Sequence, residues 1–117
     1  MIGKLGLIML VVRDMERSTQ FYRDVLGLKV VFQSPGWTHL DAGNIHIGLH
    51  PEGKVKASPT MGCTFGFYVA DVRKTADELK AKGVTMILEP KKEDFGWLAI
   101  IADPDGYAVQ LGEMGDW

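Results

Sequence analysis

Three histidines, His39, His46 and His50, are the side chains of this sequence best suited to chemistry. Neutral imidazole is a good ligand for zinc, nickel or iron, and its charge changes near neutral pH. Spacing limits what they can do together. If His46 and His50 share a strand, they stand about 13 Å apart at the usual rise per residue. One ion with bonds near ~2 Å does not span that distance. His39 is expected to lie diagonally across from His46, close enough to share an ion with it. Rim histidines with no ligand are the plainer reading. Other constellations are weaker. There is no Gly-rich phosphate loop, no Gly-x-Ser-x-Gly and no Cys-x-x-Cys. Cys63, at the start of a strand among small residues, is read as a packing residue. Lys91 to Asp94 reads as a charged, solvated loop, and Asp103-Pro104-Asp105-Gly106 as a turn. Asp14 and Asp71 read as helix caps rather than catalytic acids.

The elements that must position these residues come as one unit written twice. Residues Leu7 to Leu49 and Phe65 to Leu111 follow one order: apolar run, Asp, amphipathic helix, Gly, short strands. Val12-Arg13-Asp14-Met15 answers Ala70-Asp71-Val72, Leu26-Gly27-Leu28 answers Lys82-Gly83-Val84, and Gly36-Trp37 answers Gly96-Trp97. In the first copy, Leu5 to Val12 predicts a buried strand, and Met15, Ser18, Tyr22 and Val25/Leu26 a helix face. Strands follow at Lys29 to Gln33, Gly36 to Ala42 and Ile45 to His50. In the second copy, Thr64 to Ala70 predicts a strand and Val72, Thr75/Ala76 and Leu79 a helix face. Its later strands are Val84 to Leu88, Phe95 to Ala102 and Tyr107 to Gly112. Each half is therefore β-α-β-β-β. The fold class is α+β, with a first module over 1–52, a linker over 53–61 and a second module over 62–117, together one domain. The tail from Glu113 to Trp117 reads as loose, with Trp117 able to pack back.

Alternation assigns faces. Ile45, Ile47 and Leu49 form an aliphatic face suited to a helix, which sends His46, Gly48 and His50 to the open face. A two-residue turn at Gly43-Asn44 sets His39 opposite Gly48 and Trp37 opposite His50. All three histidines then share one face with Trp37.

Size and composition bound the rest. At 117 residues and a formal charge of −2, the chain is one domain, or two half-domains sharing a fold, without the basic surface of a nucleic-acid or membrane-binding protein. No apolar run approaches the roughly 20 residues that span a bilayer. The single cysteine and the absence of a leader-like start predict a reducing, cytoplasmic setting.

The pattern resembles the vicinal oxygen chelate superfamily, which includes glyoxalase I, extradiol dioxygenases, and fosfomycin- and bleomycin-resistance proteins. The residues that carry it are Asp14-Met15-Glu16-Arg17-Ser18, Phe21-Tyr22 and Val25-Leu26-Gly27-Leu28, then Val69-Ala70-Asp71-Val72, Leu79, Gly83-Val84 and Asp103-Pro104-Asp105-Gly106-Tyr107. The resemblance implies paired βαβββ modules whose mixed sheet curves into a cup with helices outside, and a homodimer. It also implies, in metal-dependent members, ligands on the first and last strands of each module. Those positions fall here on Leu7, Gly48, Phe65 and Gln110. Three of them cannot coordinate a metal and glutamine is a poor ligand, so no metal and no cofactor are expected. The expected function is metal-independent binding of a small, partly aromatic molecule, antibiotic sequestration among its roles, as in the bleomycin-resistance branch. Leu7, Met9, Trp37, Phe65, Phe67 and Trp97 would form apolar walls, with Gly48 between them. His39, His46, His50 and Gln110 would supply hydrogen bonds. A metal-dependent enzyme using His39 and His46 is the alternative, and a degenerate association domain the third reading.

Overall fold

The computed structural model describes residues 2–59 and 62–113. The chain divides into two compact units, Met1–Ser58 and Pro59–Trp117. Each is a β-α-β-β-β module with one four-stranded mixed sheet.

In the first unit, strand β1 (Leu7–Val12) leads into helix α1 (Met15–Gln20). The Asp14 carboxylate accepts the Arg17 amide at 3.0 Å, satisfying an end donor that the helix itself leaves unpaired. After Gln20 the helix widens into a π-helical turn, Phe21–Val25, where the sequence predicts a plain helix. The wide turn lets two consecutive aromatic residues bury together. Phe21 and Tyr22 meet edge to face with ring centres 5.1 Å apart. Strands β2 (Lys29–Ser34), β3 (Trp37–Asp41) and β4 (His46–Pro51) complete a sheet in the order β1-β4-β3-β2. Strands β1 and β4 run parallel, the other pairs antiparallel. Leu10, Val12, Leu40, Ile47 and Leu49 form the core with Tyr22. Two buried hydroxyls in this core, Thr19 and Thr38, satisfy each other at 3.0 Å.

In the second unit, β5 (Phe65–Val69) precedes α2 (Val72–Ala81), again capped by an aspartate, Asp71, on the Lys74 amide at 3.0 Å. The Val72 amide is taken by the Glu113 carboxylate at 3.0 Å. Strands β6 (Met86–Glu93), β7 (Gly96–Ala102) and β8 (Ala108–Glu113) give the order β5-β8-β7-β6. Val72, Ala76 and Leu79 of α2 are buried, and Ala99, Ile101, Val109 and Leu111 form the buried face of the sheet.

One segment differs from expectation. Lys91 to Glu93 belong to β6 rather than to a charged loop. Strand β6 lies at the sheet edge and its pairing with β7 is interrupted between Met86 and Leu88 and again between Leu88 and Lys91. An edge position with bulges tolerates Pro90, which has no amide to donate, and lysines that reach solvent. The Asp103 side chain closes the β7–β8 turn, accepting the Asp105 and Tyr107 amides, both at 2.9 Å. Glu113 closes β8, and the expectations for Met114 to Trp117 lie outside the described residues.

Candidate functional site

The open face of the first sheet carries Leu7 and Met9 from β1, Trp37 and His39 from β3, and His46, Gly48 and His50 from β4. Strand pairing puts His39 opposite Gly48 and Asp41 opposite His46, while Met9 lies beside Gly48 on the other flank. The turn at Gly43-Asn44 produces this register. The Ala42 amide donates to the Ile45 carbonyl at 3.0 Å, and the Asp41 carboxylate accepts the Gly43 amide at 2.8 Å.

The three histidines do not converge on one point. The Trp37 indole N–H lies 3.3 Å from Nδ1 of His39, and His39 Nε2 lies 2.5 Å from His46 Nδ1. His50 turns to its own strand, donating from Nδ1 to the Pro51 carbonyl at 2.7 Å. It meets only the edge of Trp37, with ring centres 6.4 Å apart.

The Trp37 ring rests on Gly48. A Cβ built at Gly48 would stand 2.1 Å from the indole Cη2 and 2.4 Å from Cζ2, so only glycine leaves room for the ring. A Gly48→Ala substitution is expected to expel the indole, break its bond to His39 and cost about 1–3 kcal/mol by overpacking. The Trp37 indole N–H resonance and a urea titration read both effects; an unmoved resonance would contradict this packing.

The second sheet is related to the first with one slip. Gly66 pairs with Gln110 as Met9 pairs with Gly48, so the counterpart of Leu7 is Thr64 rather than Phe65. Thr64 accepts a hydrogen bond from the Gln110 amide at 3.0 Å. Phe65 and Phe67 alternate with Gly66 and carry their rings to the helix side, where their centres are 6.1 Å apart. Trp97 is also on the helix side, beneath the Arg73 guanidinium of α2 at 4.3 Å. Ala99 pairs with Leu111 as Thr38 pairs with Leu49, which makes Leu98 the counterpart of Trp37. The two Gly-Trp pairs are therefore one residue out of step, and one step along a strand reverses the face. Within this unit a hollow of about 260 Å³ is bordered by Gly66, Tyr68, Phe95, Leu98, Gln110 and Gly112, together with Phe67, Trp97 and Glu113.

A larger hollow of about 800 Å³ lies on the helix side of the first unit, bordered by Asp14, Glu16, Gln20, Arg23 and Gln33. The sequence patterns give no hint of it, because its lining comes from turns and a helix end. Its polar groups are partly committed: Arg23 binds Asp24 through Nε at 2.7 Å and a terminal nitrogen at 2.8 Å, and reaches the Gln33 side-chain oxygen at 3.4 Å. The Arg23 hydrogen bonds hold the Asp24 carboxyl below the usual carboxylate range. With Met15 and Pro35 as its apolar lining residues and no aromatic ring, this hollow is a poorer site for a planar ligand than the aromatic faces.

The family model for the Glyoxalase/Bleomycin resistance protein/Dioxygenase superfamily matches residues 4–111. The chain belongs to this superfamily. YetH of Bacillus subtilis, an uncharacterized protein, is 23% identical over 97% of this chain and 100% of its own. A probable lactoylglutathione lyase of Synechocystis is 32% identical over 88% of this chain and 89% of its own. Among solved structures, TnmS3, an antibiotic binding protein from Streptomyces sp. CB03234, superposes with a TM-score of 0.77 at 24% identity, covering 97% of this chain and 98% of that one. At that identity the likeness speaks to the fold.

Metal-dependent members of the superfamily require donor side chains, and the residues at the corresponding positions of the first and last strands here do not supply a set of them. Leu7 and Gly48 offer none, the Trp37 ring covers Gly48, and the Gln110 amide is bonded to Thr64. Among the described residues no three His, Cys, Asp or Glu side chains are placed to hold one ion together.

Proposed function

We propose that this member of the glyoxalase/bleomycin-resistance superfamily binds a small, partly aromatic molecule without a metal, with antibiotic sequestration as its physiological role. The observation that carries the reading is the Trp37 indole seated on Gly48, an aromatic surface where a metal-dependent relative would project a ligand. Leu7 and Met9, 42% and 51% exposed, extend that surface with apolar groups that face no partner within their unit. In the second unit Tyr68 and Phe95 border a hollow that Gln110 supplies with a polar group. Flat apolar surface with few polar groups suits small aromatic ligands. An antibiotic binding protein among the structures of the same fold agrees with this reading. We take the working form to be a homodimer in the cytoplasm, to be checked by sedimentation and fractionation.

The second reading is a metal-dependent lyase of the kind named among the relatives, using His39 and His46 as an atypical pair. One experiment separates the two: elemental analysis of dialysed, untagged protein, then calorimetric titration with nickel, zinc, cobalt, manganese and iron(II). The binding reading expects no ion retained and no uptake at micromolar affinity. About one ion per chain, lost in His46→Ala, would replace it with the enzyme reading.

A further inference from the structure

The rings of Trp37, His39 and His46 form a hydrogen-bond chain whose direction is set at one end. An indole N–H donates and cannot accept. Its partner, His39 Nδ1 at 3.3 Å, is therefore the acceptor, and a neutral His39 carries its proton on Nε2. That nitrogen lies 2.5 Å from His46 Nδ1, which must accept in turn. A neutral His46 then holds its proton on Nε2, which has no hydrogen-bond partner among the described residues. The surroundings do not oppose this order. Leu7 and Met9 of β1 carry no polar group, Phe32 of β2 stands opposite His39, and Asp41, opposite His46, has one carboxylate oxygen on the Gly43 amide. His50 is engaged with the Pro51 carbonyl.

We propose that this relay makes His46 Nε2–H the polar recognition point of the first open face. The face then takes planar aromatic ligands that carry an acceptor oxygen, a carbonyl or carboxylate, and rejects those that present a donor there. The proposal rests on the binding reading above and names the ligand chemistry of that site. Trp37 acts twice: its ring is the apolar platform over Gly48, and its N–H fixes the tautomers of two histidines in series, which makes it a positioning residue. A donor brought against His46 Nε2–H leaves both groups unpaired in a partly buried place, the situation in which hydrogen-bonding sites discriminate most strongly.

The test has two readouts on the full chain. Ring-nitrogen shifts and couplings of isotope-labelled protein without ligand are expected to show His39 and His46 both protonated on Nε2. Fluorenone and carbazole, fused tricycles of one outline with a carbonyl acceptor and an N–H donor respectively, are then titrated calorimetrically. Fluorenone is expected to bind about tenfold tighter or more. Trp37→Phe, which keeps an aromatic ring and removes the N–H, is expected to release His39 into mixed tautomers and to cut the preference to about threefold or less. A proton on His39 Nδ1 in the native chain, or carbazole binding as well as fluorenone, overturns the proposal. The relay present with neither compound bound would overturn the binding reading and the selection built on it. The relay absent with fluorenone bound would overturn the proposal alone.

Discussion

Replacing Tyr22 by Ala is expected to remove about 3–5 kcal/mol of stability, a large part of the total that a chain of this size commonly has. Tyr22 is fully buried, touches Phe21 edge to face, and stands on the π-helical turn that faces the first sheet. Removing the ring leaves a cavity that neighbouring Leu40, Ile47 and Leu49, held in paired strands, cannot close by rotation alone. Urea unfolding followed by circular dichroism measures the loss, with Tyr22→Phe as the comparison that keeps the ring. A loss under about 1 kcal/mol for the alanine variant would mean that the wide turn does not organise this core.

The second large effect concerns binding. Trp37→Ala is expected to weaken an aromatic ligand such as fluorenone by about 2 kcal/mol, roughly thirtyfold, because a tryptophan platform at the centre of a site carries much of its energy. Its effect on folding should be modest, since Trp37 is only half-buried and Gly48 beneath it belongs to a paired strand. Calorimetric titration of the two proteins decides the point. Unchanged affinity would place the site elsewhere, and the hollow beside Tyr68 and Phe95 would then be the next to mutate.

Much of the first open face was legible from residue order. A two-residue turn is stiff, so Gly43-Asn44 dictates which residues of β3 and β4 face each other, and alternation does the rest; His39 does lie opposite Gly48. The Asp14 and Asp71 caps were legible for the same local reason. Long-range features were not. Lys91 and Lys92 look like loop residues because the tolerance of an edge strand for charge and proline depends on which strand ends up outermost. The repeated Gly-Trp pairs invite superposition, yet Trp97 falls one place off its apparent twin and packs under Arg73. The longer second half had to absorb its extra residues somewhere, and only the register of β7 on β8 reveals where. The resemblance placed the first-strand position of the second module on Phe65, whereas the strand pairing selects Thr64, which stands as far before Asp71 as Leu7 stands before Asp14. Widening of the helix at Phe21 was not legible, because a period read from Met15, Ser18 and Tyr22 does not distinguish a regular turn from a wider one.

The parallel pairing of β1 with β4 also governs the order of events during synthesis. All strand partners of the first sheet lie between Leu7 and Pro51, and all those of the second between Phe65 and Glu113. At ribosomal speeds of roughly 5–20 residues per second, the first half has its whole set of strands seconds before the second half does. Until β4 emerges, β1 has no partner in its sheet and its Leu10 and Val12 have nowhere to bury, so the nascent chain is open to misassociation in that interval, as it is again while β5 waits for β8. The same lag gives the first module time to close before its look-alike strands, with a similar pattern of apolar residues, arrive to compete for its edges.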